Sequence, residues 1–204
     1  TSVGDYGRDR ETGLMTKEHF LKLASTTMSD NPPSNNLYVT AVEVDGLEEA
    51  KQKFGPKFAQ RLLNRMASHL KTLSVDGEMA GQIGDKQFAF LHRTQTDGDY
   101  IGQSLKDLDD TIALTTSVAT LSSNDAALSE EQILRTLSYV LTQFCENTSD
   151  VSFESLSSAY ETMAAEAQQR VTGMRSMIES SSFNIAFQPV VGLSNGDIHH
   201  HEVL

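Results

Sequence analysis

An α+β fold, a βαββαβ ferredoxin-like sheet with packed helices, is predicted by three observations along the chain. The segment Leu37–Val44 is rich in strand-favouring residues and runs into a long apolar stripe of helical spacing. Two short apolar segments flank Ile83-Gly84-Asp85-Lys86 and read as a β-hairpin. Ser129-Glu130-Glu131-Gln132 is a capping-box start ahead of another helix.

Taken in order, Phe20, Leu23, Ala24 and Met28 recur at helical spacing within Thr16–Met28, and Asp30-Asn31-Pro32-Pro33-Ser34 ends that helix in a loop. After the Leu37–Val44 strand, the stripe Leu47, Ala50, Phe54, Phe58, Leu62, Met66, Leu70, Leu73 is interrupted by Gly55-Pro56. Pro suits a first helical turn, so two helices meet there. The hairpin strands are Glu78–Gln82 and Gln87–His92, with the Gly84-Asp85 pair favouring a tight reversal. A polar helix near Tyr100–Leu108, a strand at Thr111–Leu121, the capped helix with Ile133, Leu137, Val140, Leu141 and Phe144, and a short strand near Val151–Phe153 complete the domain. This order predicts an antiparallel-centred sheet with its helices on one face. Beyond it, Leu156, Tyr160, Met163, Ala167, Val171, Met174 and Ile178 mark a linker helix of about seven turns. Strands at Phe183–Val191 and Ile198–Leu204, joined through Ser194-Asn195-Gly196-Asp197, then form a second hairpin.

With 204 residues, 38% hydrophobic and 22% charged, the chain suits one globular domain of about 150 residues plus an appendage. No apolar run approaches the roughly 20 residues that span a bilayer, so no direct membrane segment is expected. Beginning at Thr1 without a charged and apolar leader, the chain reads as a piece of a longer protein with no secretory signal and a cytoplasmic location. The single Cys145, among Val140, Leu141 and Phe144, is expected to be a buried thiol in a reducing compartment. A net charge of −12 argues against a nonspecific nucleic-acid or anionic-membrane surface, because both need clustered cations. His199-His200-His201 reads as ordinary strand sequence, since adjacent strand residues alternate faces and at most two could converge on a metal.

Three stretches in order, Asp9-Arg10-Glu11-Thr12-Gly13-Leu14, Glu43-Val44-Asp45 and Gly84-Asp85-Lys86-Gln87-Phe88, resemble the GGDEF (diguanylate cyclase-like) family. The first is similar to its D-x-L-T-G-L opening with Glu11 replacing Leu, the second to its D-x-D strand end, and the third sits where GGDEF itself belongs. The implied fold is nucleotidyl cyclase-like. Phe187-Gln188-Pro189-Val190-Val191, Asn195-Gly196 and Glu202-Val203-Leu204 resemble the Q-P-I-V, T-G and E-A-L landmarks that open an EAL (cyclic di-GMP phosphodiesterase-like) domain. The organisation implied is a degenerate GGDEF domain at 1–154, a linker helix at 155–182 and the first strands of a truncated EAL domain at 183–204.

What the family resemblance implies about chemistry bears on residue identities. A diguanylate cyclase positions two GTP molecules across a dimer and holds divalent metal on carboxylates. One metal carboxylate of the family ends the first strand and another is the third residue of GGDEF; here those positions hold Glu43 and Lys86. Glu43 keeps an oxygen ligand and is a vestigial metal candidate. Lys86 has no lone pair while charged and repels a cation. Gln87 removes another negative charge, and Asp85 places a side chain where the family keeps bare backbone beside Gly84. Displaced by one residue in extended chain, Asp85 points to the opposite face and is expected to serve as a turn residue rather than a replacement ligand. The guanine-reading positions carry Lys51 and Gln60, and Lys51 offers no acceptor. The product-inhibition motif R-x-x-D falls on Val75-Asp76-Gly77-Glu78 and lacks its Arg. In a complete EAL domain Glu202 would be a ligand for Mg or Mn, and one carboxylate alone is a poor site for either.

The expected function is therefore a catalytically inactive regulatory or dimerisation module of a GGDEF-EAL composite in cyclic di-GMP signalling, acting on the adjoining phosphodiesterase-like domain. Its expected partners are the remainder of its own EAL domain and a second copy, through the GGDEF domain or the exposed stripe of the linker helix. The alternatives are a GTP-binding sensor that activates the phosphodiesterase by differential affinity for two states, against which Lys51, Lys86 and Gln60 weigh, and a residual cyclase with unusual ligands.

Overall fold

The structure is a computed structural model that describes residues 7–31, 35–123, 128–147, 155–180, 186–194 and 196–203. It comprises two compact units, Thr1–Met163 and Ala164–Leu204. The predicted strand near Val151–Phe153, the Pro32–Ser34 loop and the start of the strand at Phe183 lie outside the described residues.

In the first unit, β1 (Met15–Thr16) leads into α1 (Lys17–Asp30), whose N-cap is Thr16, and β2 (Tyr38–Asp45) follows. α2 (Leu47–Phe54) and α3 (Pro56–Leu73) meet at Gly55, as the Gly-Pro pair predicts, with Pro56 in the first turn of α3. A single 3-10 turn, Val75–Gly77, precedes the hairpin of β3 (Ala80–Gln82) and β4 (Gln87–His92). α4 (Gly98–Lys106), β5 (Thr115–Ser122) and α5 (Glu130–Glu146) complete the sequence. α4 begins two residues before its expected start because Asp97 caps it by accepting from Asp99 N, and β5 begins four residues late. The capping box at Ser129 forms as predicted, with Ser129 Oγ and Gln132 each bonding the other's backbone.

The sheet order is β1-β3-β4-β2-β5, with β1 parallel to β3 and the other pairs antiparallel. Helices cover both faces, not the one face expected. The sequence does carry the reason: β2 and β4 are buried along nearly their whole length, as strands covered on both sides must be. On one face Val39, Ala41, Ala89, Leu91 and Leu121 pack against α1 and α5; on the other Val42, Val44, Phe88 and Phe90 pack against α2, α3 and α4.

The two faces differ in texture. A row of small residues, Gly81, Ala89, Ala41 and Ala119, runs across four paired strands on the α1/α5 face. It lets α1 lie close enough that a Cβ on Gly81 would stand 2.7 Å from Phe20 Cβ. On the opposite face Val42 faces Phe88 and Val118 across the ladder, and bulk comes from the sheet instead.

At one end of that bulky face, His92 is 4% exposed. Its Nδ1 lies 2.8 Å from Thr94 O and its Nε2 2.7 Å from Thr40 Oγ1, which in turn lies 2.8 Å from Thr120 Oγ1. These partners assign a neutral ring: Nδ1–H donates to the carbonyl, and Nε2 accepts from Thr40. Burial pushes the imidazole below its ordinary value, partly offset by the Thr94 carbonyl. The unfolded chain takes up a proton below about pH 6.5 that the folded chain refuses, so stability contributed above that pH is lost as pH falls. His92→Gln, which cannot titrate, is expected to flatten this acid limb; equal urea midpoint shifts between pH 7.5 and 5 in wild type and variant would refute it.

Cys145 is partly rather than fully buried; its Sγ is 3.7 Å from Ile83 O, and burial raises its thiol pKa. Among the described residues no helix is long and apolar enough to cross a membrane.

In the second unit, α6 (Leu156–Glu179) continues from the first as one helix of the predicted extent. Its first turns belong to the first unit, where Leu156 and Ala159 are buried and Gln132 donates to Tyr160 OH at 2.9 Å. Val171, Met174, Met177 and Ile178 are exposed. β6 (Phe187–Val191) and β7 (Ile198–Val203) pair as the predicted antiparallel hairpin.

Candidate functional site

The site forms where β2 ends beside the β3–β4 connection. Glu43 stands opposite Gln87 in the ladder, and Val44 N donates to Lys86 O at 3.0 Å, so the ladder itself carries Lys86 to the end of β2. As expected, the chain reverses over Ile83–Lys86; the connection is closed by Ile83 N and Gly84 N both donating to Gln87 O, and neither Gly84 nor Asp85 needs a positive φ. Gly84 is needed for closeness rather than for handedness, because a Cβ there would collide with Gln87 Oε1.

That packing turns Gln87 toward β2, where its Nε2 donates to Glu43 Oε2 at 2.7 Å. The other Glu43 oxygen, Oε1, lies 2.9 Å from Lys86 Nζ, and the same ammonium lies 2.6 Å from Asp45 Oδ1. Glu43 and Asp45 are two apart on one strand and so share a face, which is how one ammonium reaches both. Glu43 is nearly buried, while Lys86 and Asp45 are about half exposed. Asp45 first and Glu43 second raise the lysine well above its ordinary pKa, so it is charged at every physiological pH.

Lys86 thus stands between Glu43 and Asp45 and pairs with both. An ammonium has three donors and no lone pair, so these residues do not fit a metal ion there. Among the described residues no group of three or more His, Cys, Asp or Glu converges on a metal position. Beside the pair opens a cavity of about 490 Å³ whose lining includes Asp45, Glu48, Glu49, Asp85, Lys86 and Gln87. Four carboxylates against one ammonium give this mouth a negative field that opposes a polyphosphate. Asp85 is exposed at the rim and makes no ion pair among the described residues.

The guanine-reading positions are engaged elsewhere. Lys51 on α2 lies 3.6 Å from Glu48, and Gln60 on α3 donates to Glu11 O at 3.2 Å and to Asn64 Oδ1 at 3.1 Å. Gln60 therefore helps hold the Asp9–Leu14 segment. Within that segment Asp9 Oδ1 accepts from Glu11 N, Thr12 N and Thr12 Oγ1 at 3.0, 2.7 and 2.8 Å. Desolvation raises the Asp9 carboxyl, but the Thr12 amide and hydroxyl and the Glu11 and Arg10 amides together outweigh it and lower its pKa. Asp9→Ala is expected to cost about 1–2 kcal/mol at pH 7. The cost should shrink as pH falls below the ordinary carboxyl value of 3.8, where the native group loses its charge. A denaturation series that found the same loss at pH 3 would sink the assignment.

Two contacts have no precursor in the sequence analysis. Asp45 was read only as part of a strand end, although its spacing from Glu43 was the signal that both face one way. Arg8 pairs with Glu78, the last residue of the R-x-x-D position, while its Nη1 donates to Gly13 O at 2.9 Å. The Arg missing from position 75 is thus met by one from the N-terminal segment, a pairing across sequence that no local motif reveals.

In the second unit Glu202 is exposed on β7 opposite Gln188, with His200 Nε2 at 3.9 Å. His199–His201 lie in the strand as expected.

A mixed sheet layered by helices on both faces, with a strand end and a hairpin connection meeting at the site, defines a nucleotidyl cyclase-like domain. The family profile described as Diguanylate cyclase, GGDEF domain matches residues 7–132, and the chain belongs to that family. Among solved structures it is similar to the GGDEF domain of TpbB, or YfiN, from Pseudomonas aeruginosa, with TM-score 0.51 and 14% identity over 78% of this chain and 99% of that one. It is similar also to a microbial GGDEF domain studied with cyclic di-GMP, with TM-score 0.52 and 11% identity over 74% and 96% of the two chains. The S helix-GGDEF-EAL structure of LapD from Vibrio cholerae, bound to c-di-GMP, aligns with TM-score 0.50 and 16% identity over 97% of this chain and 48% of that one. The chain therefore spans about half of the LapD structure. At these identities the likeness is one of fold. No curated protein matches the chain.

Proposed function

We propose that this GGDEF domain is catalytically silent and serves as a regulatory or dimerisation module for an EAL-type domain that begins at β6. The observation that carries the reading is the Lys86 ammonium lodged between Glu43 and Asp45. Metal-assisted attack of a ribose hydroxyl on an α-phosphate needs a cation there that can accept oxygen ligands and neutralise developing charge. A tethered ammonium holds the carboxylates but cannot exchange them for phosphate oxygens. Lys51 and the engaged Gln60 take away base recognition as well.

The division into a GGDEF domain at 1–154, a linker helix at 155–182 and the first EAL strands at 183–204 is part of this proposal. In its support, Gln188-Pro189-Val190-Val191 and Glu202-Val203 fall on the paired strands β6 and β7, whose residues are almost all exposed, as strands that pair with further sheet would be. The extent of the LapD alignment across the chain agrees with that order of domains. Glu202 would then be one ligand of a Mg or Mn site completed by later EAL residues, and cyclic di-GMP the ligand of the composite.

The test is incubation of the chain with GTP and Mg or Mn, with chromatographic detection of cyclic di-GMP and calorimetric titration of GTP. No product and no binding is the expected result. Product formation would overturn the silent reading, and micromolar GTP binding without turnover would replace it by the sensor reading.

A further inference from the structure

The junction of α2 and α3, between the positions Lys51 and Gln60, carries a surface built from side chains that the site described above does not include. From Lys51 to Val75 the chain has six Lys and Arg, of sixteen in all, and no Asp or Glu, although its net charge is −12. This run folds into the end of α2 and the whole of α3. Lys57, Arg61 and Arg65 follow one another at a spacing of four residues and so line one face of α3. Asp109 engages Arg65 at 3.3 Å and also feels the charge of Arg61, whereas Lys53 and Lys57 form no ion pair among the described residues.

The cations surround an aromatic step. Gly55, at φ +86°, breaks the helix so that Phe54 ends α2 and Phe58 falls in the first turn of α3, their ring centroids 4.9 Å apart. Only a residue free of Cβ strain turns the chain this way, which places two phenyl rings at the outer corner instead of continuing the apolar stripe inward. Lys53 Nζ lies 5.1 Å from the Phe54 centroid and Arg61 Cζ 5.9 Å from that of Phe58. Phe54 is 42% exposed; within the first unit Tyr100 alone among the described large hydrophobics shares that status.

Phe58 packs partly against the core, but the exposure of Phe54 and the charge of Lys57 do not help the fold. An exposed phenyl forgoes burial worth about 1.5–3 kcal/mol. Lys57 stands in the first turn of α3, where the helix dipole disfavours a cation and no acidic residue compensates it. An exposed phenyl stacked on a half-buried one and flanked by Lys53 and Lys57 is what the centre of a protein interface looks like before its partner arrives. At physiological salt, fields decay over about 8 Å, so a partner at this corner meets the local cations rather than the net negative charge of the chain.

We propose that the α2–α3 corner, built from Lys53, Phe54, Lys57, Phe58 and Arg61, docks an acidic protein segment that carries an apolar or aromatic anchor. The anchor covers the Phe54–Phe58 step, and its flanking carboxylates meet Lys53, Lys57 and Arg61. Charge complementarity selects acid over base, and the rings select a segment with a hydrophobic residue over a purely ionic one.

The experiment is fluorescence anisotropy of the whole chain with a labelled peptide of Asp and Glu around a central Trp. A peptide with Gln for its acids, phosphatidylserine-containing vesicles, a single-stranded oligonucleotide and GTP serve as comparisons. The acidic peptide is expected to bind, and Phe54→Ala and Lys57→Glu each to weaken it by about tenfold or more while circular dichroism and melting stay unchanged, both residues being exposed. A Lys53→Glu/Lys57→Glu double variant should instead prefer a Lys-for-acid version of the peptide. Absence of peptide binding, binding indifferent to both substitutions, stronger binding of vesicles or oligonucleotide, or displacement of the peptide by GTP would each overturn the proposal.

Discussion

Exchanging Lys86 for glutamate is expected to lower the unfolding free energy by about 2–4 kcal/mol, and added Mn should restore a large part of it. The substitution removes the ammonium that lies 2.9 Å from Glu43 and 2.6 Å from Asp45 and puts a third carboxylate beside them. Glu43 is the partner that matters most energetically: it is nearly buried, whereas Asp45 is half exposed and its pairing is screened by water. Three converging carboxylates are a hard-cation site in the making, so metal that does nothing for the native chain should bind the variant and stabilise it. A cation present at a hundred times its dissociation constant contributes about 2.7 kcal/mol. The check is differential scanning calorimetry with and without Mn. A native-like midpoint in the variant, or no response to the metal, would mean that Lys86 is not the structural stand-in for a cation. Turnover is not expected to return with it, because Lys51 and Gln60 are unchanged.

Phe88→Ala should be the most damaging single core change at the site, costing about 3–5 kcal/mol. Phe88 has no exposed surface, stands opposite Val42 on β2 and joins the cluster that binds α2, α3 and α4 to the sheet. It follows Gln87 directly in β4, so loosening it also frees the residue that holds Glu43 at 2.7 Å. Phe88→Leu keeps most of the volume and should cost less than about 1.5 kcal/mol. Urea denaturation of the pair measures the difference. Similar losses in both would show that the cavity is not the source of the effect.

The proposed acidic-segment surface and the Glu43–Lys86–Asp45 cluster are separable, since one sits on the α2–α3 corner and the other at the end of β2. Phe54→Ala should leave the response of the Lys86 variant to metal intact.

Local signals made most elements legible. Gly55-Pro56 marked the break between α2 and α3, Ser129–Gln132 the start of α5, and the apolar stripe from Leu156 the whole of α6. The β-hairpin and its Ile83–Lys86 connection are legible too, whereas the close approach of Gly84 to Gln87 shows only in the fold. α4 was shifted because the capping role of Asp97 was overlooked. At the site, Glu43, Lys86 and Gln87 were named from order along the chain, whereas the Asp45 contact and the Arg8–Glu78 pair came only with the coordinates.

By itself the sequence determined the identity of the groups at each family position, and hence that an ammonium stands where an oxygen ligand was expected. Patterning and caps also determined the elements, because both act over a few residues. The tertiary structure decided which face each helix covers, through the row Gly81, Ala89, Ala41 and Ala119 on one side and Phe88 on the other. It also decided what Lys86 does. Repulsion of a metal follows from charge alone, but the pairing of Lys86 with Glu43 and Asp45 depends on the register that sets Glu43 against Gln87 and brings Lys86 beside Val44. Register is a property of paired strands far apart in sequence, and no local spacing encodes it.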